Sequence, residues 1–328
     1  MNKPNIFNYA YPELSQDAFV CWLLNWGNPE SLTINQGLHD LSHTLIKAFF
    51  DKHRRKLPAR IEKIETIMGY LHIDIILIIN GCIIIPIQDK IYNRENPVQL
   101  AHYLQLLKDD GYDGQNMLPI YLQTGAKANH KRLKDSGFLP FSGKELMDIL
   151  NQGAHIKNDI LNDFISHLKE LENLVQSFLE RSLNKWHLYS WQGFYDYLQD
   201  KLGDGEWDAV SGPINSFLGF WWHWNNEKDY ALYLQLEKAD LCFKIDVYNK
   251  KRRAELKHKW EDRFFKASEG SSVKLVEPVY QKDNAITVVM VDGDYRRADK
   301  DGKIDLARTL DVIKEVQKIY DKAVKNFK

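Results

Sequence analysis

The stretch that most limits what this chain can fold into is residues 71–91, LHIDIILIINGCIIIPIQDKI. Two β-branched apolar runs flank Asn80-Gly81, and that dipeptide between such runs is the strongest short-range signal for a tight hairpin. The apolar part, residues 73–87, is shorter than the roughly 20 residues a membrane helix needs, and it carries Asp74 and Asn80. A hairpin with strands at residues 71–79 and 82–91 is therefore expected, and a transmembrane span is not. Pro86 stands inside the returning strand, where it removes a ladder donor and predicts a bulge or a sheet edge.

Other elements assemble around the hairpin. A strand is expected at residues 61–68, a helix at 95–108 with Leu100, Tyr103, Leu104 and Leu107 at helical spacing, and a strand at 117–123. Upstream, residues 16–26 read as a buried helix with Ser15 as its N-cap, and residues 37–52 as an amphipathic helix. A helix crossing between two strands of one sheet implies a mixed α/β core.

Residues 151–183 read as a long helical stretch, followed by a helix at 191–202 and a loop at 203–212. A second α/β unit follows, with a hairpin at 230–237 and 241–248, a helix at 250–267, a strand at 285–291 and a helix at 305–325. The expected organisation is a first domain at 1–150, a helical connection at 151–185 and a C-terminal α/β domain at 186–328. For 328 residues, two domains is the ordinary expectation.

Composition narrows the class. Hydrophobic residues at 44% and charged residues at 27% exclude a disordered, collagen-like or coiled-coil chain. The N-terminal residues have no uninterrupted apolar segment of the secretory kind. Three cysteines, none close in sequence, argue against a disulfide framework or a Cys-rich zinc site and fit a reducing cytoplasm. The net charge of -1 provides no global electrostatic case for nucleic acid, so any such case rests on local patches.

The chemistry concentrates in the hairpin. Asp74, Gln88, Asp89 and Lys90 stand in or beside apolar strands. Alternation puts Gln88 and Lys90 on one face and Asp89 on the other, and the turn sets Asp74 opposite Ile87 or Gln88. A carboxylate, an amide and an ammonium thus share one face. The simpler reading of the same residues is a buried Asp74–Lys90 ion pair capped by Gln88.

With its flanking text (ELSQDAF, IDIILIIN, IIIPIQDKIY, QLAHYLQLL), this pattern over about the first 125 residues resembles the PD-(D/E)xK nuclease superfamily. The resemblance implies a restriction-endonuclease-like mixed sheet flanked by helices, with a C-terminal α+β unit appended. It implies a Mg²⁺- or Mn²⁺-dependent endonuclease that hydrolyses phosphodiester bonds in nucleic acid, DNA above all. In that reading Asp74, Gln88 and Lys90 are catalytic. Asp74, Gln88, the Asp89 backbone carbonyl and Glu13 hold the metal, and Gln99 and Tyr103 lie near the site. Gln88 departs from the expected Glu or Asp, so one negative charge is missing; Mrr-type restriction endonucleases carry the same variation. The alternative is a weakened nuclease fold that binds nucleic acid or a protein partner without cleaving.

Other motifs are weaker. His39 and His43 mimic a zinc-protease pair, but Asp40 replaces the needed Glu, and a polar helix face is the simpler reading. Residues 299–305 mimic a calcium loop, but Arg297 and Arg308 would occupy its liganding ends, so a turn is expected. Basic runs at residues 52–60, 127–134 and 250–259 are solvated faces or, given a nuclease core, phosphate contacts. Trp221, Trp222 and Trp224 are expected in a core or domain interface.

Overall fold

The computed structural model describes residues 4–91, 96–125, 133, 135–210, 217–278 and 286–325. The chain is mixed α/β and divides into two compact units, Met1–Asn173 and Leu174–Lys328. Among the described residues no helix is long and apolar enough to cross a membrane.

The first unit is built on a five-stranded sheet in the order β1-β2-β3-β4-β5. These strands are β1 (Ile64–Tyr70), β2 (Ile73–Ile79), β3 (Ile83–Lys90), β4 (Ile120–Gln123) and β5 (Leu139–Ser142). The first three are antiparallel neighbours, whereas β4 runs parallel to β3 and β5 parallel to β4. Helix α3 (Pro97–Asp109) lies in sequence between the parallel β3 and β4. The β2–β3 loop is Asn80-Gly81-Cys82, closed by the Ile79↔Ile83 pair, with Asn80 and Gly81 both at positive φ (54° and 67°), as that dipeptide favours. The β1–β2 turn is two residues, Leu71 (φ 50°) and His72 (φ 68°), closed by the Tyr70↔Ile73 pair. Neither is a residue that advertises a left-handed turn, so the expected strand boundaries fall two to three residues from the observed ones.

Two layers cover the sheet. Ile75, Leu77, Ile79, Ile85 and Ile87 face the side of α1 (Pro12–Asn25) and α2 (Gln36–Lys52). Ile76, Ile84 and Tyr121 face the side of α3, with Leu100, Tyr103 and Leu107. Strands β2 and β3 are thus buried on both faces, which is why they read as unbroken apolar runs. Helix α1 starts earlier than expected. Pro12 opens it after Tyr11, the Ser15 N–H donates to Tyr11 O, and Glu13 falls inside the first turn. Proline at the first helical position costs no hydrogen bond, so the start moved forward from Ser15.

Pro86 produces no bulge. The β2–β3 register runs without a shift from Ile75↔Ile87 to Ile79↔Ile83, with Pro86 opposite Ile76. The continuous β3–β4 ladder begins at Ile87, one residue past the proline. Beyond the sheet, α4 (Gly143–Gln152) opens on a reciprocal cap between Ser142 and Glu145. It stops at Gln152, and α5 (Asp159–Gln176) follows as a separate helix rather than one long stretch.

In the second unit, α6 (Leu188–Leu202) precedes a six-stranded antiparallel sheet. Its strands are β6 (Glu206–Val210), β7 (Phe217–Asn226), β8 (Tyr230–Glu237), β9 (Asp240–Val247), β10 (Leu275–Val276) and β11 (Ile286–Val291), ordered β10-β11-β9-β8-β7-β6. Helices α7 (Arg253–Ser268) and α8 (Leu306–Lys325) pack on each other. The expected loop at 203–212 is corrected: part of it forms β6, whose Trp207 is buried and donates from Nε1 to Asp196 Oδ1 on α6 at 2.9 Å. Trp222 is core, but Trp224 is 47% exposed and stacks on Tyr233, so the tryptophan cluster is split rather than buried together.

Candidate active site

The β2–β3 register places Asp74 just past the end of the ladder, level with Gln88. Three donors then converge on one oxygen of its carboxylate. Gln88 Nε2 lies 2.6 Å from Asp74 Oδ2, the Asp89 backbone N–H 2.8 Å and Lys90 Nζ 3.2 Å. Alternation along β3 explains the set, because Gln88 and Lys90 reach Asp74 by side chain while Asp89, pointing the other way, reaches it by backbone. The Asp74 side chain keeps 24% exposure and that of Lys90 11%. At 3.2 Å the pair attracts by about 5 kcal/mol at an effective dielectric of about 20, and desolvation offsets much of it.

The opposite face of β3 carries a second polar cluster. Asp89 is 1% exposed and accepts from Gln16 Nε2 on α1. Gln16 Oε1 in turn accepts from Thr124 Oγ1 at 2.8 Å. Asp17, next on the helix, faces Asp89. Burial pushes Asp17 up to about 6, with the nearby Asp74 and Glu13 carboxylates adding to the rise. Burial, then the Asp17 charge, push Asp89 well above the ordinary carboxyl range. Asp17 Oδ1 and Asp89 Oδ2 are both buried and have no hydrogen-bond donor among the described residues. The sequence reading missed Gln16, Asp17 and Thr124. Gln16 and Asp17 leave a signal: they are polar on the stripe that continues through Val20, Cys21 and Leu24, so α1 turns them toward the sheet.

The remaining expected site residues disperse. Glu13 sits half-buried one turn before Asp17, on the helix that covers the Asp89 face. Gln99 is exposed on α3. Tyr103 is buried and stacks on His72, with ring centroids 5.6 Å apart. On β4, Gln123 pairs with Lys90 in the parallel ladder and is 1% exposed.

Among the described residues no three His, Cys, Asp or Glu side chains are grouped as metal ligands. The donor set beside Asp74 nonetheless suits a hard cation that takes one or two carboxylates and completes its shell with water and phosphate. Gln88 Oε1 is buried and without a hydrogen-bond partner among the described residues, as an oxygen reserved for a cation would be. Asp74, Gln88 Oε1 and the Asp89 carbonyl are the groups that would hold it.

Elsewhere the expected motifs resolve into ordinary structure. His43 Nε2 bonds Gly27 O and His39 bonds Asp40, their rings 4.3 Å apart. Asp299 Oδ1 accepts from the Asp301 and Lys303 backbone N–H groups in a turn. In the basic run at 52–60, Arg55 reaches Gln115 O and His53 reaches Pro119 O. That is the start of β4, the opposite end from Gln123 and Lys90. Arg252 of the 250–259 run is paired with Asp229 and Glu255. The basic residues of the 127–134 run lie outside the described residues, as does position 95 of the expected α3. No family model matches the chain, and neither a curated protein nor a solved structure is significantly similar to it.

Proposed function

We propose that this chain is a metal-dependent phosphodiester hydrolase acting on DNA, with a site built on Asp74, Gln88 and Lys90. The observation that carries the reading is the convergence of the Gln88 amide, the Asp89 N–H and the Lys90 ammonium on Asp74 Oδ2. Support also comes from the element order. A helix, three antiparallel strands, a crossover helix and a parallel strand are what the PD-(D/E)xK resemblance implies, with the variable motif at the end of the third strand.

A bound Mg²⁺ or Mn²⁺ supplies Lewis-acid polarisation of the phosphoryl oxygen and a more acidic water. Asp74, Gln88 Oε1 and the Asp89 carbonyl would hold the cation by their oxygens. Lys90 Nζ orients the attacking water and offsets the negative charge that grows on the phosphoryl oxygens. Water adds to phosphorus and one P–O ester bond breaks. The products are a phosphate monoester and a free hydroxyl, the water's proton passing to the leaving oxygen through solvent.

One observation favours a second reading, a nucleic-acid-binding module that does not cleave. The Gln88 amide donates to the carboxylate it would share with a cation, so the Asp74–Gln88–Lys90 group is already charge-balanced. Lys90→Ala separates the two. In the hydrolase it keeps Mn²⁺ binding by calorimetry and loses at least a hundredfold in nicking of supercoiled DNA. An unaltered nicking rate would remove Lys90 from the chemistry.

A further inference from the structure

Strand β4 brings one more polar group to the Asp74 face. Gln123 is the last residue of β4 and pairs with Lys90. Paired residues of neighbouring strands project to the same side, so the Gln123 amide stands on the Lys90 face, away from Ile120 and Leu122 in the α1-side core. It is 1% exposed, yet neither Nε2 nor Oε1 has a hydrogen-bond partner among the described residues. Gln88 Oε1, also buried and without one, is on this face too.

Buried amides are hydrogen-bonded with few exceptions, and an unpartnered one destabilises its fold. Leucine or methionine would fill the same space without that cost. Thr124 N donates to Lys90 O and Thr124 Oγ1 to Gln16, which holds the end of β4 against β3 and α1. Lys90, the ladder partner of Gln123, puts a cationic side chain on the same face, which favours an anion over a further cation there. A buried N–H donor on a face that carries a lysine suits a phosphate oxygen.

We propose that Gln123 is a phosphate-binding residue, donating from Nε2 to a non-bridging oxygen of the phosphodiester that Lys90 faces. This rests on the hydrolase reading above.

The test uses the full chain carrying Gln123→Leu or Gln123→Met. Melting temperature, anisotropy of a fluorescein-labelled DNA duplex in Ca²⁺, and nicking of supercoiled DNA in Mg²⁺ are measured. Removing the orphaned amide should hold or raise the melting temperature, by about 2–4 °C. Losing one charge-assisted donor should weaken duplex binding about ten- to a hundredfold and raise KM for nicking. Lower melting temperatures in both variants would mean that the amide has a partner inside the fold, and would overturn the proposal whatever the binding. So would unchanged duplex binding. Asp74→Ala distinguishes this failure from that of the parent reading. If it abolishes nicking while Gln123→Leu behaves as wild type, only the Gln123 role falls. If it nicks as wild type, or if wild type neither binds nor cuts DNA, both fall.

Discussion

Replacing Gln88 by Glu restores the charge that the PD-(D/E)xK pattern expects, and the geometry determines what that charge does in the metal-free protein. Gln88 Nε2 is 2.6 Å from Asp74 Oδ2. A carboxylate oxygen in that place turns a hydrogen bond into a like-charge contact, worth about 6 kcal/mol of repulsion at an effective dielectric of about 20. Lys90, 3.2 Å from the same oxygen, offsets part, and rotation of the new side chain relieves more. A net loss of about 2–4 kcal/mol is expected. For a unit of this size that lowers the melting temperature by about 5–15 °C in EDTA near neutral pH. Two reversals should follow. The crowded carboxyl pair has its pKa raised in the folded state, so the lost stability returns as pH falls toward 4. Mg²⁺ or Mn²⁺ should return it at neutral pH, giving Gln88→Glu a larger metal-induced rise than wild type. The assay is thermal melting across pH, with EDTA, Mg²⁺ or Mn²⁺. A Gln88→Glu protein that melts like wild type in EDTA and ignores the metals would refute the reasoning, because the two side chains would then not share a cation site.

Two further outcomes follow from the first unit. Burial holds Asp17 at about 6 against an ordinary 3.8, and Asp89 also well above that value. The folded chain therefore keeps protons that the unfolded chain has released, and stability from this pair falls as pH rises from about 4 through 6. Asp17→Asn, which replaces one buried carboxyl by an amide that can donate to Asp89, should flatten that decline and raise the melting temperature at pH 7; a steeper decline would contradict the burial-driven rise. Ser142→Ala removes the reciprocal cap with Glu145 at the start of α4. It should cost about 1 kcal/mol, read as a drop of about 2–4 °C in melting temperature.

What the sequence discloses about this fold depends on how local the cause is. Asn80-Gly81 announces its hairpin because the left-handed backbone is chosen by those two residues alone. The Leu71-His72 turn is not announced, since nothing in either residue prefers it, and the pairing of β1 with β2 enforces it. The Asp74–Gln88–Lys90 convergence is legible because it follows from hairpin register and the two-residue period of a strand. Asp17 and Gln16 are not legible as site-adjacent groups, because their meeting with Asp89 depends on how α1 docks, a contact spanning 73 residues for Gln16. Gln123 joins the Asp74 face only through a parallel pairing that no local pattern encodes. Pro86 misleads for the same reason: whether a missing N–H matters depends on where the neighbouring strand begins.

The central claim is that Asp74 anchors a cation-dependent phosphodiesterase site, and Mg²⁺-dependent nicking of supercoiled plasmid tests it most directly. Wild type and Asp74→Ala, matched by circular dichroism, are incubated with plasmid in Mg²⁺, Mn²⁺ or EDTA. Open-circular product is expected from wild type with either metal, none in EDTA, and none from Asp74→Ala under any condition. Nicking by Asp74→Ala at the wild-type rate, or wild-type nicking that persists in EDTA, would contradict it.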